Sequence, residues 1–254
     1  MLSRIYIFHL VAVIILTFSL PLFSQSSSID SLIRIYNKDN QNPENIIKIG
    51  EAYAAEKKWE LAIDFYEKLV KIEPNNSDYL YRLGGTQAAY SEDVSKFKVL
   101  SLINTAKRNL IKSASFDSQH IESRWALVQI LIELPKILGG DSKSALNYAD
   151  EIYNISKIHG LFAYHYIYDY QKNENLRKEY EIKIFREIQS SPVFFEFNHF
   201  NFIVGKILLG KDIAQYKMAE SYLNKYLSHY SSADRISTEL VNYYIEFCKL
   251  NMQK

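Results

Sequence analysis

The sequence is poor in the residues that cross-link a chain or bend it. One cysteine, Cys248, among 254 residues excludes an intrachain disulfide and any multi-cysteine zinc or iron–sulfur site. Eight glycines and five prolines are few for this length, which argues against a β-sandwich, a β-barrel or long disordered linkers. Thirty Lys and Arg against 29 Asp and Glu leave a net charge of +1. Nucleic-acid-binding proteins usually carry a basic excess, so no nucleic-acid partner is expected.

The N-terminus has the pattern of an export signal. Arg4 precedes an almost wholly apolar stretch over residues 5–23, which contains Pro21 and is followed by small polar residues. This order predicts a signal peptide over residues 1–24, with Gln25 as the first residue of a periplasmic or secreted, bacterial protein. The alternative is an uncleaved membrane anchor, since the apolar stretch approaches the roughly 20 residues that span a bilayer.

A repeated pattern decides the predicted fold. The first copy reads Ile46-x2-Ile49-Gly50-x2-Tyr53, then Ala62-x3-Tyr66, then Pro74, and the second copy begins with Leu80, Leu83 and Gly84. The pattern resembles the tetratricopeptide repeat (TPR), whose period is about 34 residues. Small residues at Gly50 and Ala62 let two helices cross closely, and Pro74 ends the second helix. The resemblance implies an all-α fold of helix-turn-helix repeats stacked into a right-handed solenoid.

The repeats divide the chain into predicted segments. We expect a lead-in helix over residues 25–42 and a solenoid over 43–254, in which 43–76 is the clearest repeat. Degenerate repeats are predicted at 77–120, 121–157 and 198–231, with two unassigned helices near 161–171 and 176–188 and a capping helix at 232–254. In that last helix, apolar residues recur at i+3 and i+4 and are expected to cover the open end of the solenoid: Ile236, Leu240, Tyr243, Tyr244 and Phe247.

The linker inside the third repeat has its own turn chemistry. Pro135 should stop a helix, Gly139 and Gly140 can adopt positive φ, and Asp141 or Ser142 can cap the next helix. The segment Pro135-x3-Gly139-Gly140-Asp141-x3-Ala145 is similar to one in divergent repeat proteins. These include the periplasmic component associated with tripartite (TRAP) transporters and the regulators of microtubule dynamics. This similarity implies no ligand site.

Catalytic and cofactor signatures are weak. Gly205-x4-Gly210-Lys211 falls short of a phosphate-binding loop because Asp212 replaces the Ser or Thr that would hold magnesium, and we expect a repeat helix ending at Gly210. The six histidines show no zinc-ligand spacing, and Cys248 is expected to be a buried, inert thiol. We therefore predict no cofactor, no metal and no enzymatic activity.

The TPR resemblance also implies a binding groove, lined by the first helix of each repeat. Carried over by register, the predicted partner-binding residues are Glu44, Ile47, Glu51, Asp78, Tyr81, Glu122, Trp125, Gln129, His199, Phe202 and Lys206. Tyr81, Trp125 and Phe202 would be aromatic anchors for a partner. The alternative is that these rings pack between repeats, because aromatic residues also dominate helical cores.

Together these features predict a non-catalytic interaction or scaffold module of the cell envelope. A protein or peptide segment would bind in the groove. The alternative is a periplasmic protein that binds a small hydrophobic ligand in association with a transport system.

Overall fold

The computed structural model describes residues 29–230 and 236–253, apart from the side chains of residues 96 and 97. The predicted signal peptide and its cleavage site therefore lie outside the described residues. The described part of the chain contains twelve α-helices and one short 3-10 turn, and it contains no β-strand. The predicted all-α fold is thus confirmed. None of the helices in this part is long and apolar enough to cross a bilayer.

The helices follow one another closely along the chain. They are α1 (Ile29–Lys38), α2 (Pro43–Ala55), α3 (Trp59–Ile72), α4 (Ser77–Asp93), α5 (Lys96–Phe116), α6 (Ile121–Glu133), α7 (Ser142–Ile155), α8 (Lys157–Tyr170), α9 (Glu174–Ser190), α10 (Asn198–Leu208), α11 (Tyr216–Ser228) and α12 (Thr238–Met252). The pairs α2–α3, α4–α5, α6–α7 and α10–α11 pack most extensively, as expected for repeats of two helices.

The helix ends of the first repeat follow from local chemistry. Asn42 caps α2 by accepting a hydrogen bond from the Glu44 N–H at 3.0 Å, and Pro43 occupies the first turn, where a missing N–H costs nothing. Helix α3 ends two residues before Pro74. Asn76 then caps α4, its Oδ1 accepting from the Tyr79 N–H at 3.2 Å. The predicted end of the second helix at Pro74 is confirmed.

The repeat pattern is explained by close contact between paired helices. A Cβ atom placed on Gly50 would lie 2.5 Å from Cε1 of Tyr66, so that only glycine fits beneath this ring. Tyr66 and Ala62 are fully buried. In the second repeat, a Cβ on Gly84 would lie 3.0 Å from the Ala106 carbonyl oxygen. The second repeat is longer than the first, since α4 and α5 have 17 and 21 residues whereas α2 and α3 have 13 and 14.

The linker between α6 and α7 is a fixed turn. Gly139 adopts φ +89°, in the left-handed region that favours glycine. Asp141 caps α7, accepting from the Lys143 N–H at 3.0 Å and from the Ser144 hydroxyl at 2.6 Å. Lys107 on α5 donates to the Gly139 carbonyl at 2.9 Å and so holds the turn against the preceding repeat.

A buried arginine joins the second and third repeats. Arg124 on α6 donates to the carbonyl oxygens of Ala114 (2.9 Å), Asp117 (3.1 Å) and His120 (2.9 Å), and it pairs with Glu151 on α7 at 2.8 Å. The first two carbonyls belong to the end of α5, where a helix leaves acceptors without intrahelical partners. The guanidinium therefore completes the hydrogen bonding at the α5–α6 corner.

The chain forms two compact units, divided within α8 between Ala163 and Tyr164. Unit one contains helices α1–α7, and its core includes the interior residues of the first three repeats. Unit two contains helices α9–α12, with a core built around α10 and α11. The prediction of one solenoid over residues 43–254 stays a prediction.

Unit two has the same close helix crossing as unit one. A Cβ on Gly205 would lie 2.7 Å from Leu223, and Ala219 and Leu223 are fully buried. This places Gly205 on a repeat helix, as expected, and not on a phosphate-binding loop. The helix ends at Leu208, before Gly210, which does not adopt positive φ.

The last helix presents a different face to its neighbour than the sequence suggested. Helix α12 packs against α11 and buries Val241, Ile245 and Cys248. Cys248 is a buried free thiol, as predicted, and burial raises its pKa. In contrast, three residues of the expected packing face are substantially exposed: Leu240, Tyr243 and Phe247. The apolar residues of α12 therefore span a wider part of the helix circumference than its contact with α11 covers.

Candidate functional site

The predicted groove residues of unit one share a surface on the first helices of three repeats. We call this surface the first-helix face; it consists of Glu44, Ile47 and Glu51 on α2, Asp78 and Tyr81 on α4, and Glu122, Trp125 and Gln129 on α6. Its members differ in accessibility. Glu44 and Glu122 are exposed, and Ile47, Glu51, Asp78 and Tyr81 are partly exposed. Trp125 and Gln129 are only 6% and 2% exposed.

An arginine joins the α2 and α4 parts of this face. Arg82 on α4 forms an ion pair with Glu51 on α2, with Nη1 and Oε1 2.7 Å apart. Its Nε also bonds Asp78 Oδ2, one turn earlier on α4, at 2.6 Å. One guanidinium thus binds two predicted groove carboxylates from successive repeats. Sequence reasoning missed Arg82, although its i+4 spacing from Asp78 is an available signal.

Partial burial shifts the titration of these groups. Burial raises the pKa of Glu51, and the positive charge of Arg82 opposes this rise without cancelling it. Tyr66 lies beneath the pair; burial, and then the Glu51 charge, raise the pKa of its hydroxyl. Glu51 is therefore a carboxylate whose charge depends on Arg82, and this part of the face is a preformed polar cluster.

A ring contact joins α4 to the start of α6. The Tyr81 ring and the His120 imidazole have centroids 5.3 Å apart. His120 is the residue before α6, and its Nδ1 accepts from the Ser123 N–H at 3.1 Å, which fixes the ring as an N-cap. Burial, followed by the Glu122 charge, raises the pKa of Tyr81. The accessible part of the first-helix face is therefore continuous across three repeats.

The part of the first-helix face that lies on α6 is largely buried. Helix α6 is buried on every side from Ser123 to Glu133. Within it, the Gln129 amide nitrogen has no hydrogen-bond partner among the described residues. An unpaired buried donor of this kind costs about 1–3 kcal/mol. The partner-binding role given to Trp125 and Gln129 stays a prediction, and in this structure both side chains are buried.

The predicted residues of the last repeat lie in unit two, and two of them line a cavity. Phe202 and Lys206 on α10 contribute to a cavity of about 480 Å³, whereas the third predicted residue, His199, lies one turn before Phe202. The other lining residues come from α8, α9, α10 and the segment after α10: His165, Asp169, Arg177, Lys178, Glu181, Ile182, Ile203, Ile207, Gly210, Lys211, Asp212 and Ile213. Lys206 Nζ lies 4.4 Å from the Tyr244 ring centroid and donates to its hydroxyl at 2.7 Å.

One wall of this cavity carries a charge network. Glu181 on α9 accepts from Arg177 one turn before it, and its Oε1 lies 3.4 Å from His165 Nε2 on α8. These partners hold the pKa of Glu181 below its usual value, although burial acts in the opposite direction. Among the described residues, Lys178 and Lys211 have no carboxylate partner within ion-pair distance. Two ammonium groups therefore remain available on the lining. No sequence motif signals this cavity, because its walls come from four separate segments.

Comparison with known proteins identifies the architecture. No protein-family model matches the chain. No curated protein matches it either. The structure is similar to a tetratricopeptide repeat protein from Parabacteroides merdae, with a TM-score of 0.54 and 13% identity over 87% of this chain and 76% of the other. It is also similar to TTC0263, a thermophilic TPR protein of Thermus thermophilus, with a TM-score of 0.51 and 13% identity over 82% of this chain and all of the other. The chain has a TPR fold.

The TPR fold agrees with the chemistry that the residues carry. In the two repeats with the clearest pattern, Gly50 and Gly84 occupy the helix crossing that the TPR pattern reserves for a small residue. Among the described residues, no cluster of three or more His, Cys, Asp or Glu could hold a metal ion. The predicted groove residues thus fall on two surfaces with accessible polar groups, the first-helix face in unit one and the cavity in unit two.

Proposed function

We propose that the chain is a non-catalytic protein-interaction module that binds a segment of a partner protein on the first-helix face. The observation that carries the proposal is the continuity of this face. Arg82 joins α2 to α4, and the Tyr81–His120 contact joins α4 to the start of α6. Since the side chains are held by their neighbours, binding requires little further ordering, which favours affinity.

The charges on the face suggest the chemistry of the partner. Glu44, Asp78 and Glu122 lie in the first turns of α2, α4 and α6. Acidic residues at these positions stabilise the helices through the helix dipole, which is sufficient to explain their presence. Lys48 pairs with Glu44 at 2.6 Å, and Arg82 is shared between Asp78 and Glu51, so these two cations only partly neutralise the face. With Glu122, the carboxylates beside Ile47 and Tyr81 still outnumber them. We therefore propose a partner segment with basic side chains that flank an aliphatic or aromatic residue.

A peptide selection tests this proposal. Random peptides are selected on the immobilised full-length chain, and their affinities are then measured for the unchanged protein, Tyr81→Ala, Asp78→Asn and a control, Leu61→Ala. Leu61 is exposed on α3, outside the face. We expect basic–apolar peptides whose affinity falls at least tenfold with Tyr81→Ala and is unchanged with Leu61→Ala. Selected peptides that bind both variants equally would contradict the assignment.

We propose a location in the bacterial cell envelope, either periplasmic or secreted. Its support is the sequence of residues 1–28 alone: a basic residue, an apolar stretch and small polar residues. The measurement is the N-terminal peptide of the protein recovered from its host by mass spectrometry. A chain that begins at Gln25 supports export with cleavage, whereas a chain that begins at Met1 supports the anchored alternative.

The cavity of unit two favours a second candidate function, the binding of a small ligand. Its volume lies within the ~300–1,000 Å³ typical of small-molecule sites. Phe202, Ile203 and Ile207 provide apolar lining, and Lys178 and Lys211 provide positive charge. These features suit an organic anion with an apolar body. Native mass spectrometry of the gently purified protein tests this function: a bound small molecule that Lys211→Ala loses supports it, and an empty chain contradicts it.

A further inference from the structure

Helix α12 carries an apolar stripe on its exposed side. The stripe consists of Leu240, Tyr243, Phe247 and Leu250, which are 40%, 65%, 39% and 60% exposed. The opposite side of the helix already packs against α11 through Val241, Ile245 and Cys248. Phe247 also contacts the Tyr216 ring of α11, with centroids 6.1 Å apart, but its remaining exposed area and the other three residues are additional to the surface that attaches α12 to its own unit.

A helix that caps a repeat stack normally has the opposite character. End-capping elements of stacked repeats present a polar outer face, because no further repeat covers them. Here the outer face has two leucines and two aromatic rings in a row. The largest contiguous apolar patch on a protein surface is often an interaction site. The stripe thus needs a partner surface of similar chemistry.

The order of the residues in the stripe indicates which surface that is. The spacing along the helix is three, four and three residues, so that the stripe reads the same from either end about a point level with Ile245. The chemistry is also symmetric, since a leucine stands at each end and an aromatic ring at each inner position. Two such helices placed antiparallel bring Leu240 opposite Leu250 of the other copy, and Tyr243 opposite Phe247. A surface that complements itself in this way fits a twofold interface.

The available area fits a reversible association. The four exposed fractions amount to about two complete side chains, or roughly 400 Å² for each copy at about 200 Å² per large side chain. Two copies would bury about 800 Å² through the stripe alone, below the ~1,200 Å² at which standard interfaces begin. Asn251 and Met252 border the stripe and add to this area. The only ion pair on α12 among the described residues, Glu246–Lys249 at 2.8 Å, joins two residues of the same helix.

We propose that a second copy of this chain is the partner of α12, and that the two helices pack antiparallel about a twofold axis level with Ile245. The inference does not depend on the proposed function, because it concerns a different surface in unit two. An interface of this size belongs with weak, transient associations, so we expect a dissociation constant in the micromolar range.

Charge exchange across the predicted pairs tests both the dimer and its direction. The molar mass of the full-length chain is measured by light scattering and sedimentation up to about 200 µM, well above the expected dissociation constant. The variants are Leu240→Lys, Leu250→Glu and the two changes combined in one chain, with Leu61→Lys on α3 as control. Every variant keeps the same N-terminus, so any association through residues 1–28 is common to all of them. Circular dichroism checks that each variant is folded.

We expect the unchanged chain and Leu61→Lys to dimerise, and each α12 single variant to dissociate at least tenfold more readily. In the combined variant, the lysine introduced at position 240 of each copy faces the glutamate introduced at position 250 of the other. Both contacts then pair opposite charges, so dimerisation should return. A parallel arrangement would instead place like charges opposite each other. A monomeric unchanged chain, single variants that dimerise normally, or a combined variant no better than the singles would each overturn the proposal.

Discussion

Glu51 and Arg82 form a 2.7 Å ion pair between the first helices of successive repeats, and only 13% and 15% of their side chains are exposed. The pair fixes the relative position of α2 and α4 on the proposed binding face. Because the pair is partly buried, the loss of stability on mutation depends on whether one partner or both are removed. Removing one partner leaves a charge that water hydrates poorly, whereas removing both leaves no such charge.

Arg82→Met should therefore lower the free energy of unfolding by about 2 kcal/mol at pH 7, less than for a fully buried pair. The loss should shrink as the pH falls. Burial already raises the pKa of Glu51, and without Arg82 the pKa rises further. The folded variant then retains a proton that the unfolded chain has released, so its stability falls as the pH rises above the carboxyl's ordinary pKa of 4.5.

Urea denaturation at pH 4 and pH 7 measures this effect. The control is Arg82→Met combined with Glu51→Gln, which removes the stranded charge and should recover most of the stability at pH 7. Equal losses at both pH values, in the single and the combined variants, would show that the ion pair does not couple the two helices.

Gly50→Ala should destabilise unit one by about 2 kcal/mol, because the added methyl group would lie 2.5 Å from the Tyr66 ring. Helix propensity acts in the opposite direction, since alanine in an open helix stabilises by about 1 kcal/mol relative to glycine. Ser101→Ala on the exposed side of α5 is the control and should be neutral or slightly stabilising. Thermal and urea unfolding of the two variants distinguish a steric effect from propensity, and a stabilised Gly50→Ala protein would refute the close crossing.

Arg124→Met should cost about 3 kcal/mol, since three carbonyl oxygens at the α5–α6 corner each lose a hydrogen bond from the guanidinium and Glu151 loses its partner. Arg108→Met provides the comparison, because Arg108 is exposed on α5 and bonds only the Thr105 hydroxyl among the described residues. We expect hydrogen exchange at the end of α5 and the start of α6 to accelerate in Arg124→Met alone. Unchanged protection in that region would contradict the role given to Arg124.

Gly139→Ala should destabilise the turn before α7 by about 1 kcal/mol, because an L-residue at φ +89° is strained. The change adds little crowding, since the nearest atom to the new Cβ would be Lys107 Nζ at 3.3 Å. Replacing Gly139 with Asn, which tolerates left-handed backbone better, should cost less. Urea unfolding of the two variants checks this order, and an equal or reversed order would exclude backbone strain as the cause.

The parts of the fold that could be predicted are those encoded locally. Gly50 beneath Tyr66, Pro74 after α3 and the Asn76 cap are short-range relationships that the repeat pattern specifies. The all-α fold follows from repeating them. The same spacing recurs in the second repeat, where Ala106 and Leu110 are fully buried on α5 as Ala62 and Tyr66 are on α3.

The features of the fold that could not be predicted depend on which helix surfaces pack against each other. On α12 the apolar arc is so wide that periodicity alone does not select the packing side, and Val241 is buried where Leu240 was expected. The repeat register assigned Trp125 and Gln129 to the first-helix face. Whether these side chains are buried depends on the residues that pack around α6. The cavity of unit two combines side chains from segments distant in sequence, so no sequence motif predicts it.

The most direct test of the proposed interaction is site-specific photocrosslinking of the full-length chain in its native host. A photoreactive phenylalanine analogue replaces Ile47 or Tyr81 on the first-helix face, and Leu61 or Ile72 on the exposed side of α3 serves as the matched control. The account predicts that both face positions crosslink to the same partner polypeptide, at a site with basic residues, and that the α3 positions do not. Crosslinks of equal yield from α3, or none from the face of the folded protein, would contradict it.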